Sequence, residues 1–106
     1  MGKNSKIIEE LKKFRIQLKN NIEVDKMIFF GSRAKGKFNK YSDIDLIIVS
    51  KDFTGKRFRY RPLGFYKYWN LDYPVDFLCY TPEEFNKLKK QITIIREAVK
   101  EGIEIN

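Results

Sequence analysis

The chain contains no histidine and only one cysteine among its 106 residues. An intramolecular disulfide is therefore impossible, and the usual Cys/His zinc sites are excluded with it. So is any mechanism built on an imidazole base, such as a Ser-His-Asp triad. Chemistry here must come from carboxylates, hydroxyls, amines, backbone amides or a metal held by oxygen. Oxygen ligands without nitrogen or sulfur favour magnesium, manganese or calcium. Long apolar runs are also missing: Leu46 to Val49 is typical, and far too short to cross a bilayer. The first residues, MGKNSKIIEE, are charged and lack the apolar centre of a signal peptide. The cytoplasm is the expected compartment.

What remains is a folding chain with a basic balance. Hydrophobic residues make up 42% and aromatics 15%, which excludes a disordered segment. No repeat or low-complexity linker is visible, and the length suits one domain over residues 1–106. Twenty-two Lys and Arg against fourteen Asp and Glu leave a formal charge of +8. That balance favours anionic partners, whether nucleotide, nucleic acid or acidic protein, or else reflects a lysine-rich solvated surface.

Apolar positions Ile7, Ile8, Leu11, Phe14 and Leu18 form the stripe of an amphipathic helix over residues 5–20. Val24 to Phe30 reads as a first strand that stops at Gly31-Ser32, with one or two helical turns over Ser32 to Lys37. Ile44 to Ser50 is apolar almost throughout, so it reads as a central strand covered on both faces. A third strand is expected at Val75 to Tyr80, where Cys79 is a small buried hydrophobe. Thr81-Pro82-Glu83-Glu84 then opens a helix: a threonine cap, proline at the first helical position and a glutamate able to close a capping box. Phe85, Leu88, Ile92, Ile95 and Val99 continue one apolar stripe to Gly102, and Ile103 and Ile105 suggest a short edge strand. The fold class is α/β (α+β), a small mixed sheet with helices packed mainly on one face.

Two aspartates stand at the mouth of the central strand. Side chains alternate along a strand, so Asp43 and Asp45 point one way and Ile44 the other. Asp76 lies near the start of another apolar strand, and if the two strands are neighbours, three carboxylates meet at one end of the sheet. At ~5 Å and an effective dielectric of about 20, each like-charge pair costs roughly 3 kcal/mol. Such a cluster needs divalent cations or must take up protons, and it suits magnesium completed by water and substrate phosphate. Gly31-Ser32 supplies the complement, a turn whose outward amides and serine hydroxyl can hold phosphate, with Arg33 and Lys35 as nearby cations. An anion cradle beside a carboxylate cluster is what metal-assisted phosphoryl or nucleotidyl transfer requires.

The stretch GSRAKGKFNKYSDIDLIIV resembles the Gly-Ser-x-Ala-[Arg/Lys]-Gly … Ser-Asp-x-Asp-Leu signature of the minimal nucleotidyltransferases, within the DNA polymerase beta-like superfamily. VDFLCYTPEEF and IIREAVKEGIEI look like this family's third strand and C-terminal helix. The resemblance implies ATP as substrate and two magnesium ions. It implies that Gly31 and Ser32 hold the triphosphate, that Asp43 and Asp45 bind the metals, and that Asp76 completes the metal site nearest the attacking hydroxyl. Lys35 stands where many relatives carry Arg; it keeps the charge but loses the planar fork. The resemblance also implies a small helical HEPN-type partner, with this chain as the antitoxin, acting by binding or by adenylylating a tyrosine. Oligomeric state, a homo-oligomer included, is left open.

Residues 51–73 fall outside the resemblance. Arg57, Phe58, Arg59, Tyr60 and Arg61, then Phe65, Tyr66, Tyr68 and Trp69, interleave cations with aromatics. That composition suits stacking on nucleic-acid bases, aromatics packed on the sheet or a partner helix, or the anchors of a protein interface. Three functions stand side by side: a nucleotidyltransferase modifying a protein, a non-catalytic antitoxin acting by binding, and a nucleic-acid-directed enzyme or RNA binder.

Overall fold

The computed structural model describes residues 5–36, 43–91 and 93–106. Ser42 of the motif, Lys37 and Ile92 of the helical stripe lie outside them. Ser5–Leu18 forms α1, burying Ile7, Leu11, Phe14 and Leu18, four of the five predicted stripe positions, with Ile8 half-buried. The strands are β1 (Lys26–Phe30), β2 (Ile44–Val49), β3 (Val75–Tyr80) and β4 (Ile103–Glu104). They form one mixed sheet in the order β3-β2-β1-β4. β1 runs antiparallel to both β2 and β4, and β2 runs parallel to β3.

Alternation along the strands divides the core into two layers. Ile44, Leu46 and Ile48 join Met27, Phe29, Phe77 and Cys79 beneath α1. Ile47 and Val49 join Ile28 and Phe30 on the opposite face, against α2 (Pro82–Gln91) and α3 (Thr93–Glu101). Two of the three helices thus share one face, and α1 covers the other. β2 is central and apolar on both sides, as its near-continuous hydrophobic run predicts. Burial pushes the Cys79 thiol up to about 12, consistent with an inert core residue.

Several boundaries depart from expectation, beginning with α1, which ends at Leu18 rather than at residue 20. Strand β1 starts at Lys26 rather than Val24, although the Asp25 amide still donates to the Val49 carbonyl at 2.8 Å. Ser50 leaves β2 to cap a following 3-10 turn, its side chain accepting from the Asp52 amide at 3.1 Å. The expected single C-terminal helix is two helices. At 3.6 residues per turn, an unbroken helix would set Val99 about 40° from Phe85 and Ala98 about 140° away. The reverse is observed: Ala98 and Ile95 are buried while Val99 is exposed. α3 instead turns the small Ala98 inward, against β1. At its end, a β-carbon on Gly102 would collide with the Ala98 carbonyl and the Ile28 side chain and crowd the Phe29 carbonyl.

Residues 51–73 form three 3-10 turns, at Lys51–Phe53, Phe58–Tyr60 and Tyr66–Tyr68. Their aromatics divide. Phe53 and Phe65 are buried, and Trp69 packs edge-on to Phe14 (5.2 Å) and Phe77 (5.8 Å). Residues 58–66 run along the outer edge of β3 like a strap: Phe58 meets Tyr80, Arg61 reaches the Cys79 carbonyl, and Tyr66 meets Phe77. An edge strand left bare is a template for aggregation, and the strap covers this one.

Arg61 pins the strap. Its side chain is nearly buried and donates to Glu84 at 2.5 and 3.1 Å, to the Lys56 carbonyl at 2.9 Å and to the Cys79 carbonyl at 3.0 Å. Glu84 also closes the predicted capping box, accepting from the Thr81 amide at 2.9 Å while Thr81 Oγ1 accepts from the Glu84 amide at 3.1 Å. The hydrogen bond from Arg61, ahead of the amide of Thr81, holds the Glu84 carboxyl below its ordinary value. A carboxyl depressed in this way adds stability above its unfolded value, near 4.5, and that share is lost as pH falls through the folded value. Arg61→Ala should destabilise the fold by about 2–4 kcal/mol in urea titrations at neutral pH. It should also flatten the acid limb of the stability profile below about pH 4.5.

Candidate active site

The parallel register of β2 and β3 sets Asp45 directly opposite Asp76, and Phe30 of β1 opposite Asp45 from the other side. Register partners on neighbouring strands share a face, so both carboxylates project on the side covered by α2 and α3, about 5 Å apart at the backbone. Gly31, one residue past the end of β1, then lies against Asp45. A β-carbon on Gly31 would overlap Asp45 Oδ2, and its φ of +87° is a conformation that favours glycine. The glycine of the motif is thus required both by the turn and by the carboxylate it faces.

These residues line a cavity of about 250 Å³ with Phe30, Ala34, Lys35, Leu78 and part of α3. Asp45 carries the electrostatic strain. Burial first, then the charges of Asp76 and Asp43, push its carboxyl up to about 6. Asp43 itself is exposed at the mouth of β2, outside the cavity lining but close enough to act on Asp45. Among the described residues, no three acidic side chains converge into a ready-made cation site. Magnesium does not need one, because it is commonly held by one or two carboxylates with substrate phosphate and water completing its shell. Mutually repelling, oxygen-only donors in a half-buried pocket fit such an ion.

The other predicted residues are dispersed more than the sequence suggests. After Gly31 the chain makes one helical turn, with the Lys35 amide donating to the Gly31 carbonyl at 3.2 Å, and Gly36 follows at φ +77°. Over the described residues 32–36 this is a single turn. Any phosphate held at this turn relies on its backbone amides and the exposed Ser32. Lys35 lines the cavity and pairs with Glu101 at 3.0 Å; the hydrogen bond to Glu101 raises its pKa. Arg33 does not join this set: its side chain is buried, with the guanidinium 4.4 Å from the centre of the Tyr73 ring. That places it against a separate groove formed with Lys6, Glu10 and Asp72. In a helical turn, side chains two residues apart project about 200° from each other, so closeness in sequence does not make Arg33 and Lys35 neighbours of one ligand.

Ile94, Glu97, Ala98, Glu101 and Gly102 line the same cavity and were not candidates from the sequence. Spacing along α3 marks the carboxylates only as a polar face; the packing of α3 against β1 brings them to the site.

The fold and the site define a nucleotidyltransferase domain, the family whose model matches residues 6–101, and the chain belongs to that family. It is similar to the "Probable protein adenylyltransferase MntA" of Haemophilus influenzae, with 32% identity over 77 residues, 71% of this chain and 68% of that protein. Its fold is also that of a crystal structure titled a "putative nucleotidyltransferase" from Sulfolobus solfataricus, with a TM-score of 0.65 at 19% identity over 93% of this chain and 78% of that one.

Two predictions test the geometry. A carboxyl whose folded value lies above its unfolded 3.8 favours the folded state at low pH, and that contribution is lost as pH rises through about 6. Without metal, Asp45→Asn should therefore raise stability at pH 7–8 by about 1–2 kcal/mol after solvent screening, with the gain vanishing toward pH 4. Thermal melts across pH in a chelator check this. Gly31→Ala should destabilise by about 1–3 kcal/mol in urea unfolding, because the residue must hold a positive φ and displace Asp45.

Proposed function

We propose that this nucleotidyltransferase moves AMP from ATP to a hydroxyl group on a protein partner. The observation that carries the reading is the pairing of Asp45 with Asp76 across β2 and β3, beside the Gly31 turn. The acceptor oxygen attacks the α-phosphorus, the bond to the β-phosphate breaks, and pyrophosphate leaves. Asp43, Asp45 and Asp76 are the residues that would hold magnesium, which when bound neutralises triphosphate charge and acidifies the attacking hydroxyl. Asp76 is exposed on the edge strand β3, where an incoming acceptor meets it first, and its carboxylate takes the hydroxyl proton. The amides and hydroxyl of the Gly31-Ser32 turn orient the phosphates, with Lys35 exchanging Glu101 for a phosphate oxygen.

The name of the Haemophilus influenzae relative supports a protein acceptor over a nucleic acid. The signature over residues 31–49 supports a small helical partner of HEPN type, with this chain as its antitoxin. ATP labelled at the α-phosphate, incubated with the chain, magnesium and such a partner, should label the partner. Asp45→Asn and Asp76→Asn should each cut transfer by about a hundredfold or more, the loss expected when a charge-stabilising group is removed. Unchanged transfer in either variant would refute the assigned site. Tight partner binding with no transfer by the native chain would favour neutralisation by binding.

A further inference from the structure

The outer side of the strap over β3 takes no part in the cavity. Between residues 53 and 71 the sequence holds five cations and no carboxylate. Arg61 is neutralised by Glu84, but Lys56, Arg57, Arg59 and Lys67 are exposed and have no ion-pair partner among the described residues. Interleaved with them are four large side chains that stay in water: Phe58 at 46% exposure, Tyr60 at 49%, Leu63 at 63% and Tyr66 at 51%. Other aromatics of the same segment are buried, so this set is left out by the placement of the strap and not by lack of a core to join.

We propose that the exposed side chains of the strap are the docking surface for the protein acceptor, and that they select an acidic segment bearing apolar or aromatic side chains. The proposal rests on the protein-acceptor reading above. Unpaired cations around half-exposed rings match a partner that brings carboxylates to the rim and apolar groups to the centre. A nucleic-acid strand fits less well. Phe58 already packs on Tyr80 at 5.4 Å, Arg59 lies over Tyr60 at 5.3 Å, and Tyr66 sits edge-on to Phe77 at 5.3 Å. The rings are not free faces in a row for successive bases, and Leu63 offers aliphatic surface only. Position also favours docking. Tyr80, beneath Phe58, is four residues along β3 from Asp76, about 13 Å at strand rise, so a segment held on the strap can extend a hydroxyl to the carboxylates.

The test uses the full chain and a fluorescent random copolymer of glutamate and tyrosine, which supplies acidic, aromatic and hydroxyl groups together. At about 0.15 M salt, anisotropy should show it binding at least about fivefold tighter than polyglutamate. The double variant Arg57→Glu/Arg59→Glu and, separately, Leu63→Asp should each weaken binding by about tenfold. Both alter exposed side chains, and unchanged thermal melting and ATP binding would confirm an intact fold and cavity. Failure of the native chain to bind the copolymer would overturn the proposal. So would equal binding of polyglutamate, unchanged affinity in both variants, or a tighter, strap-dependent grip on oligouridylate. The two readings separate cleanly. Strap-dependent binding without label transfer leaves docking standing and transfer refuted, whereas label transfer indifferent to the strap variants leaves transfer standing and docking refuted.

Discussion

The parallel pairing of β2 with β3 is the constraint on which the rest of this protein depends. One register sets Asp45 beside Asp76, and a slip of one residue would turn one of them into the layer beneath α1. The register is held by apolar side chains on both faces, since Leu46 and Ile48 belong to one layer and Ile47 and Val49 to the other. Two carboxylates at the mouth of such a strand are costly, and the raised pKa of Asp45 expresses that cost. The core therefore stabilises a site that is electrostatically unfavourable until a cation or proton arrives. Destabilised groups held in place by surrounding packing are characteristic of functional sites.

A second device closes the structure at the far edge. Arg61 ties the strap to a distant stretch of chain, through the carbonyl of Cys79 on β3 and Glu84 at the N-terminus of α2. The same contacts cover the open edge of the sheet and orient the exposed rings outward. The cover of the sheet edge and the cap of α2 thus meet at one nearly buried guanidinium.

Much of the fold was legible because its elements announce themselves locally. The stripe of α1, the capping box at Thr81 and Glu84, and strand β3 from Val75 to Tyr80 appear as the sequence predicts. The carboxylates were legible only in part, since alternation fixes the side each takes within its own strand but not that the two strands are neighbours. The orientation of α3 was not legible, because the stripe through Val99 is a sound helical pattern, and only close packing of Ala98 and Gly102 on β1 rejects it. Arg33 and Lys35 were likewise grouped by proximity in sequence, while the turn sends them to different sides.

By itself the sequence determined the residue types, the periodicities and the chemistry they permit: no imidazole, no disulfide, oxygen donors and a Gly-Ser turn after the first strand. It also determined the family, through the spacing of Gly31-Ser32 and Asp43-Ile44-Asp45. Tertiary structure decided which of those groups meet. It chose Asp76 as the partner of Asp45, brought Glu97 and Glu101 of α3 to the cavity, and withdrew Arg33 from it. The physical reason is that periodicity specifies a side chain's direction within its own element. Which elements lie side by side, and in what register, is settled only when the two apolar layers close on the sheet.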